Sequence, residues 1–315
     1  MKKDILFKLE PTTKNYIWGG VQLKDRYNKK SIDDKIAETW ELSCHPDGSS
    51  IISNGEYSGK SLSEYIKIGG NKVLGINCKK FADFPILIKL INAKEKLSIQ
   101  VHPDDEYGLK NDNQYGKTEA WYVIDAKEDS YIYYGFKKEI PKEELRERIE
   151  NNTLLEVLNK TYVKKGDVFF IEPGTVHAIG GGILIAEIQQ SSNITYRIYD
   201  YNRLDLDGNP RELHIEKGLD VIKREPPKLN YNFGKYLVKC EYFQVEKIEI
   251  NVFFESNADL DSFHSLLFLD GEGIISMEEE KIAYKKGDSF FIGAGSGNYQ
   301  IRGNGYFLLT TIPEN

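Results

Sequence analysis

One stretch of the sequence occurs twice. Residues 164–174, KKGDVFFIEPG, align with residues 285–295, KKGDSFFIGAG, and eight of the eleven positions are identical. Each copy has the pattern of a Gly-Asp turn, a short aromatic strand and a second turn that ends in glycine. Pro226 and Pro227 lie between the copies as a linker, so the repeat indicates two related β-sandwich units. A chance likeness between two hairpin edges is the alternative.

Strand-forming patterns dominate the rest of the chain. Short runs of β-branched and aromatic residues alternate with Gly, Asn, Asp and Pro, and aromatic residues make up 12% of the 315 residues. The helical patterns are few: residues 61–66, which begin with a capping box, residues 141–149, whose apolar spacing continues to Leu158, and residues 215–223. These patterns predict a mainly β protein with a few short helices.

The charge of the chain limits its partners. Its formal net charge is −7, whereas a nucleic-acid-binding protein usually carries a basic excess. Asp4 and Lys8 interrupt the segment that a signal peptide needs to be apolar. The longest apolar run, residues 84–91, contains Lys89 and is too short to span a bilayer. We therefore expect a cytoplasmic protein that binds neither nucleic acid nor membrane.

A row of polar side chains on one predicted strand indicates a cavity. Within residues 97–105, Ser98, Gln100 and His102 alternate with apolar residues, so strand geometry places all three on one face. The opposite face carries only apolar residues. A polar row inside a packed sandwich is useful only where it lines a cavity, and we expect one here.

Three further residues extend this polar face. Lys117 and Glu119 share one face of the next predicted strand, and His177 follows a Pro-Gly turn. Two imidazoles, one carboxylate and one amide oxygen suit Zn²⁺ or another divalent transition metal better than Ca²⁺ or Mg²⁺. The sequence therefore predicts a metal site built from Gln100, His102, Glu119 and His177.

The two copies of the repeat differ at this site. Extending their alignment past the shared glycine sets His177 opposite Asn298, so the second copy keeps the turn but lacks the imidazole. His264 is the one histidine between residues 232 and 280, and it has no companion ligands in the sequence. We expect the second unit to be metal-free and to cover the first sandwich or form a subunit contact.

A carboxylate lies within a predicted hydrophobic strand. Glu187 follows residues 183–186, ILIA, and an ionised carboxylate in such a strand needs a partner. Arg197 is one candidate for that partner. Alternatively, the planar guanidinium of Arg197 binds an anionic group of the substrate, and the sequence leaves both interpretations open.

Several of these motifs together resemble those of type I mannose-6-phosphate isomerases. The motifs are QVHPD at residues 100–104, GKTE at 116–119, PGTVHA at 173–178 and NITYR at 193–197. IWGG at residues 17–20 and ETWELS at 38–43 are also similar to this family, and the resemblance covers nearly the whole chain. It implies two cupin-like jelly-roll β-sandwiches, and we predict a catalytic unit of residues 1–227 and a second unit of residues 228–315.

The resemblance also implies roles for individual residues. Gln100, His102, Glu119 and His177 would be the ligands of one Zn²⁺ per chain, and Arg197 would be the active-site arginine. Glu187 and Lys117 are candidates for proton transfer, and Ser98 and Lys89 match positions that line the substrate pocket. Ile179 and Asn193 depart from the family, since longer members carry a tyrosine and an aspartate there.

The implied activity is the zinc-dependent interconversion of mannose 6-phosphate and fructose 6-phosphate through an enediol, by a monomer or homodimer. One alternative is a cupin non-haem-iron oxygenase, because two histidines and one carboxylate also form its facial triad. The other is a cupin that binds a sugar phosphate without turnover. The additional Gln100 and the surrounding lysine and arginine residues favour the isomerase, and the chain has no basic helix-turn-helix pattern typical of a regulator.

Overall fold

The computed structural model describes residues 6–205 and 208–314. The strands in these residues are β1 (Leu6–Glu10), β2 (Thr12–Lys14), β3 (Glu38–Leu42), β4 (Ile51–Ile52), β5 (Ile86–Ala93), β6 (Ile99–Val101), β7 (Glu119–Ala126), β8 (Tyr131–Phe136), β9 (Leu158–Tyr162), β10 (Val168–Ile171), β11 (His177–Ile179), β12 (Ile183–Gln190), β13 (Tyr196–Tyr199), β14 (Val238–Lys239), β15 (Gln244–Ala258), β16 (His264–Asp270), β17 (Glu272–Met277), β18 (Glu280–Lys285), β19 (Ser289–Ile292) and β20 (Gly297–Thr311). The helices are α1 (Gln22–Tyr27), α2 (Leu62–Gly69), α3 (Asp105–Asp112), α4 (Lys142–Glu150) and α5 (Ile215–Val221), with short 3₁₀ segments at Asn71–Val73, Ile76–Lys80 and Leu154–Glu156. The mainly β class with a few short helices is therefore confirmed.

The strands form three antiparallel sheets. A six-stranded sheet has the order β10-β7-β12-β5-β3-β2, and a five-stranded sheet has the order β13-β6-β11-β8-β9. A nine-stranded sheet runs β14-β15-β20-β16-β19-β1-β4, and β17 joins it through β20 and pairs with β18. The first two sheets form one sandwich, and the nine-stranded sheet contains all of β14–β20 together with β1 and β4.

The six-stranded sheet is the middle layer of the molecule. Its central strands β5 and β12 are buried along their whole length. Ile88 and Leu90 on one face of β5 share a hydrophobic core with Phe291 of the nine-stranded sheet. Ile91 on the opposite face packs with Ile179 of the five-stranded sheet. The C-terminal unit thus covers one face of the first sandwich, which is one of the two roles expected for it.

Two helices cover the outer face of the five-stranded sheet. Leu145 and Ile149 of α4 and Leu219 of α5 belong to the same buried cluster as Ile99 and Val101 of β6. Because these apolar residues of β6 face the helices, its polar residue in between faces the six-stranded sheet. The short β6 strand is therefore held from behind by apolar packing.

The two copies of the sequence repeat have the same backbone conformation. Gly166 and Gly287 both have φ +92°, a value that side-chain-bearing residues rarely adopt. In each copy the following aspartate, Asp167 or Asp288, accepts a hydrogen bond of 2.9 Å from the backbone N–H three residues earlier. Strands β10 and β19 then begin one residue after that aspartate. The repeat is a repeat of structure as well as of sequence.

Strands from the beginning of the chain join the nine-stranded sheet. β1 pairs antiparallel with β19 along residues 6–9, and β4 pairs with β1. Lys8 and Asp288, an aspartate of the repeat, also form an ion pair of 2.6 Å. The division of the chain at residue 227 stays a prediction, and β1 ties its two sides together.

The helix predictions were right in place but not always in length. Ser61 caps α2, and a reciprocal pair of hydrogen bonds with Glu64, of 3.2 and 2.8 Å, completes the predicted capping box. The prediction that the helix beginning near residue 141 continues to Leu158 is wrong, because α4 ends at Glu150 and Leu158 begins β9. Asn152 has φ +57°, a left-handed backbone conformation that asparagine tolerates better than most residues. A right-handed α-helix cannot continue through a residue in this conformation. Within the described ranges, no helix combines the length and the apolar character needed to cross a membrane.

Candidate active site

Functional side chains of the six-stranded sheet lie side by side on neighbouring strands. Glu187 on β12 is the direct cross-strand neighbour of Lys89 on β5 and of Trp121 on β7. Glu119, two residues before Trp121, is on the same face of β7. The alternation of residues in these strands thus directs two carboxylates and a lysine toward the five-stranded sheet.

A second row of functional side chains lies on the five-stranded sheet. Gln100 on β6 is the cross-strand neighbour of His177 on β11 and of Arg197 on β13. The two rows meet between the sheets, since the ring of His177 lies 5.4 Å from that of Trp121, nearly at right angles. The predicted polar face of the sandwich therefore exists and is formed by both sheets.

Three potential metal ligands converge in the centre of this sandwich. His102, Glu119 and His177 are all buried, and their ligand atoms lie within 4.8 Å of one another. Nε2 of His102 is 3.6 Å from one oxygen of Glu119, and Nε2 of His177 is 3.3 Å from the other. The structure thus brings together three of the four residues for which the sequence predicted metal binding.

Hydrogen bonds to the backbone orient both imidazole rings. Nδ1 of His102 donates to the carbonyl oxygen of Ile194, and Nδ1 of His177 donates to that of Thr175, each at 2.8 Å. A carbonyl oxygen only accepts, so both Nδ1 atoms carry the proton and both Nε2 atoms present a lone pair toward Glu119. Such second hydrogen bonds are typical of metal-binding histidines.

The environment of these three groups fits a divalent cation. Oε1 of Glu119 is buried without a hydrogen-bond partner, and burial raises the pKa of this carboxyl. Burial also lowers the pKa of His177 to about 4 and the pKa of His102 well below its ordinary value. A bound cation favours the neutral imidazoles and the ionised carboxylate, because both then donate lone pairs to it.

The fourth predicted ligand, Gln100, lies at the edge of this group. Its side-chain nitrogen is 3.3 Å from Nε2 of His177, and exchanging the two ends of the amide by rotation places its oxygen there instead. Its role as a ligand stays a prediction.

Two buried lysines balance the carboxylates of the site. Nζ of Lys117 is 2.7 Å from Oε2 of Glu119 and 3.8 Å from Oε1 of Glu187. Nζ of Lys89 is 3.4 Å from the same oxygen of Glu187 and 3.6 Å from Oε2 of Glu38. The lysines therefore share Glu187 between them, and each has a second carboxylate of its own.

These contacts decide the charges of the buried groups. Burial alone would raise the pKa of Glu187, but the ammonium groups of Lys117 and Lys89 outweigh it and lower this pKa. Burial alone would lower the pKa of Lys89, but Glu38 and Glu187 outweigh it and raise this pKa. Glu187 and Lys89 are thus both held in their charged forms, an ionised carboxylate beside an ammonium group.

Arg197 is not the partner of Glu187. Its Nε donates to Oγ of Ser98 at 3.3 Å and its Nη1 donates to the carbonyl oxygen of Glu212 at 2.8 Å. Glu187 instead contacts Lys89 and accepts a hydrogen bond of 2.9 Å from Nε1 of Trp121. The salt-bridge interpretation is wrong because Glu187 pairs with Lys89 and Trp121, whereas the Arg197 guanidinium is bonded to Ser98 and to the backbone of Glu212.

A cavity of about 310 Å³ opens beside the metal-ligand candidates. All five residues predicted for catalysis or substrate binding line this cavity: Lys117, Glu187, Arg197, Ser98 and Lys89. Gln100 lines it as well, and so do Ile179 and Asn193, the two positions that depart from the family pattern. Lys117 and Gln100 lie between this cavity and the buried triad, since they line the first and contact the second. The cavity therefore lies directly beside the triad.

The cavity wall also contains residues that the sequence argument did not single out as site residues. Glu38 on β3 and Arg211 both line it. Glu38 had a signal, since it is a charged residue that alternates with Trp40 on one face of a buried strand. Arg211 had none, because it lies in a loop without regular periodicity.

Comparisons with known proteins identify the family. The family model described as phosphomannose isomerase type I, catalytic domain, matches residues 6–131, and the mannose-6-phosphate isomerase cupin domain matches residues 233–312. Mannose-6-phosphate isomerase ManA of Bacillus subtilis is 36% identical over 309 residues, which cover 93% of this chain and 95% of that protein. The chain belongs to the type I phosphomannose isomerase family.

Solved structures agree with membership of the type I phosphomannose isomerase family. The crystal structure of the mannose 6-phosphate isomerase from Bacillus subtilis is similar to this chain with a TM-score of 0.89 and 35% identity, covering 97% of this chain and 99% of that one. A mannose 6-phosphate isomerase bound with zinc and yttrium shares the fold at 19% identity, with a TM-score of 0.77 over 98% of this chain and 100% of that one. The resemblance seen in the sequence motifs is thus confirmed at the level of family and fold.

Proposed function

We propose that this chain is a zinc-dependent aldose–ketose isomerase that interconverts mannose 6-phosphate and fructose 6-phosphate. The observation that carries this proposal is the convergence of His102, Glu119 and His177 beside a cavity lined with cationic side chains. Membership of a family whose relatives are named mannose-6-phosphate isomerases supports the substrate and the reaction.

Zinc is the metal that we propose for the triad. His102, Glu119 and His177 would provide the three protein ligands that a catalytic zinc site commonly has, and Gln100, whose side-chain nitrogen is 3.3 Å from Nε2 of His177, would supply a fourth after rotation of its amide. Zn²⁺ bound there would act as a Lewis acid that polarises the oxygens at C1 and C2 of the sugar. A protein of the same fold is described as bound with zinc, which supports this choice.

Glu187 is the better placed of the two candidates for proton transfer. The reaction moves a proton between C1 and C2, which requires a group that accepts it and returns it to the neighbouring carbon. Glu187 lines the cavity and is held ionised, with its Oε1 3.4 Å from Nζ of Lys89 and 3.8 Å from Nζ of Lys117. Lys117 faces the same space as an ammonium group close to two carboxylates, and we propose that it stabilises negative charge that develops on the substrate oxygens.

The remaining predicted residues orient the substrate in this proposal. Lys89 is fixed between Glu187 and Glu38 and donates to a sugar hydroxyl or to the enediolate. Ser98 and Arg197 are hydrogen-bonded to each other at the side of the cavity formed by the five-stranded sheet. A planar guanidinium with fixed edges suits an anionic group of the substrate better than a flexible ammonium group does.

The two alternatives from the sequence remain chemically compatible with the triad alone. An oxygenase uses the same two histidines and one carboxylate, and a binding protein needs no turnover. The isomerase is favoured because Glu187 and Lys117 add an ionised carboxylate and an ammonium group beside the triad. Family membership favours it as well.

The decisive experiment is a coupled isomerase assay on metal-stripped protein with Zn²⁺ added back. We expect no activity without metal, recovery with Zn²⁺, full turnover without O₂, and exchange of the C2 proton with solvent. Turnover that stops without O₂ would indicate an oxygenase. Binding of the sugar phosphate without proton exchange would indicate a non-catalytic protein.

A further inference from the structure

A cluster of charged residues beside the cavity has no role in the mechanism proposed so far. Asp200 follows β13 and is buried, and it accepts two hydrogen bonds from one edge of the Arg211 guanidinium, at 2.7 Å from Nε and 2.6 Å from Nη2. Arg203 also pairs with Asp200, at 2.5 Å. Of these two arginines, Arg211 lines the cavity, and Arg203 lines a separate groove.

The segment that carries Arg211 is fastened directly to β13. Nη1 of Arg197 donates to the carbonyl oxygen of Glu212, and the backbone N–H of His214 donates to the carbonyl oxygen of Arg197 at 2.7 Å. Because Glu212 is the next residue after Arg211, these bonds hold the Arg211 segment against β13, and both guanidinium groups line the cavity. Burial of Arg197, and then repulsion from Arg211, lower the pKa of Arg197.

Carboxylates neutralise the cationic side chains more completely at one end of the cavity than at the other. Near the triad, each of the two lysines has carboxylates within 4 Å. At the other end, Asp200 is the one carboxylate that pairs with Arg203 and Arg211, and no ion pair of Arg197 is found in the described part of the chain. Arg197 and Arg211 at the cavity, together with Arg203 in the neighbouring groove, thus outnumber the one buried carboxylate, Asp200, and the carboxylate of Glu212 is exposed.

We propose that Arg211, together with Arg197, binds the phosphate group of the substrate, and that Asp200 is the positioning residue that holds Arg211 toward the cavity. The inference rests on the proposed function, which requires a phosphate to be placed in this cavity. Asp200 occupies Nε and Nη2 of Arg211, which leaves Nη1 for a phosphate oxygen. Arg211 would thus select phosphorylated sugars over free sugars.

The test compares Arg211→Gln with the wild-type protein in the zinc-loaded state. Loss of a charge-assisted hydrogen bond predicts a KM for mannose 6-phosphate that is about 10- to 100-fold higher, with kcat within about threefold. Inorganic phosphate is the second probe, and its inhibition constant as a competitive inhibitor should rise by a similar factor. Asp200→Asn should raise KM in the same direction by a smaller factor, because Arg211 is then present but less firmly oriented.

Arg146→Gln is the matched control. Arg146 on α4 also forms a two-pronged ion pair with a carboxylate, Glu216, but it lies on the outer helical layer away from the cavity. Its kinetics should be those of the wild type. Thermal unfolding of each variant separates a binding defect from a folding defect, and Arg211→Lys, which keeps the charge, should bind phosphate more tightly than Arg211→Gln.

Two results would overturn the inference while leaving the proposed function intact. One is a wild-type KM and phosphate inhibition constant in Arg211→Gln, and the other is a fall in kcat alone. If the wild-type protein does not isomerise mannose 6-phosphate, the proposed function fails. Calorimetric titration of inorganic phosphate into the wild type and Arg211→Gln then still decides whether Arg211 binds the anion.

Discussion

His177 and Asn298 are at equivalent positions in the two copies of the repeat. In the first copy, β10 is followed by His177, which is fully buried and faces Glu119. In the second copy, β19 is followed by Asn298. The side chain of Asn298 is exposed and bonded to its cross-strand neighbour Asn257. The turns before β10 and β19 have the same glycine torsion and the same aspartate hydrogen bond, and the turns after these strands contain Gly174 with φ +84° and Gly295 with φ +75°. The backbone of the repeat is thus independent of the side chain that follows it.

The surroundings of the two positions explain why only the first is suited to chemistry. His177 lies between two sheets, so side chains from β6 and β7 can meet it. Asn298 lies near the start of the long β15–β20 pair, where it faces solvent instead of a second sheet. A set of metal ligands requires side chains from a second sheet close to the first. The repeated hairpin does not supply such a second sheet by itself.

Exchanging the residues at these two positions tests the comparison most strongly. His177→Asn should remove zinc and reduce isomerase activity by more than about a hundredfold, because loss of a ligand costs more than loss of a group behind it. Metal analysis and the coupled assay measure the effect, with wild type expected to bind one zinc per chain. Asn298→His is the control and should not add a second zinc. A second equivalent that survives loss of His102 and His177 would contradict the assignment of the metal to the first unit.

A milder change tests the carboxylate ligand. Glu119→Gln should weaken zinc binding by about 10- to 100-fold, because a neutral amide donates less charge to the cation than a carboxylate does. Competition with a chelator of known affinity measures this change. Full zinc retention together with normal activity would exclude Glu119 as a ligand.

Replacing an arginine by lysine should lower kcat/KM in the first unit but not in the second. Arg197→Lys keeps the charge but loses the planar set of donors, so kcat/KM should fall by about 10- to 100-fold while zinc content stays the same. Arg302 on β20 lies over the ring of Phe253 in the second unit, and Arg302→Lys should have wild-type kinetics. Wild-type kinetics in Arg197→Lys would mean that only the charge matters.

The smallest expected effect concerns stability at acidic pH in the second unit. Burial lowers the pKa of His264 to about 4, below the ordinary value of 6.5, so the unfolded chain binds this proton first. Stability from this residue is therefore fully present above pH 6.5 and is lost as pH falls toward 4. His264→Gln should reduce the loss of unfolding free energy between pH 7 and pH 5 by about 1 to 2 kcal/mol in denaturant titrations. Equal losses in both proteins would show that His264 titrates normally.

Local signals in the sequence were sufficient for the strands and for the convergence of His102, Glu119 and His177. The repeat, the alternation around Gln100 and the apolar run before Glu187 each reflect strand geometry, which acts over a few residues. The capping box at Ser61 is local in the same sense. These features were predictable because each depends on near neighbours in the chain.

Features that depend on which sheet a strand joins were not predictable. Glu187 and Arg197 are ten residues apart, yet they belong to different sheets and do not pair. The helix that was expected to reach Leu158 ends early because tertiary packing uses Leu154 and Leu158 in a 3₁₀ turn and a strand. The Arg211 segment is held beside the cavity by contacts with Asp200 and with β13. Such contacts between residues that are distant in the sequence leave no periodic pattern from which they could be predicted.

The pairing of β1 with β19 has a consequence for synthesis of the protein. Lys8 and Asp288, which pair at this junction, are separated by 280 residues along the chain. At translation rates of about 5 to 20 residues per second, β1 leaves the ribosome roughly 15 to 60 s before its partner strand exists. Until then the apolar face of β5 that packs against Phe291 is also uncovered. The first sandwich thus cannot complete its packing until the last strands emerge, so these strands contribute to assembly although the metal-ligand candidates lie elsewhere.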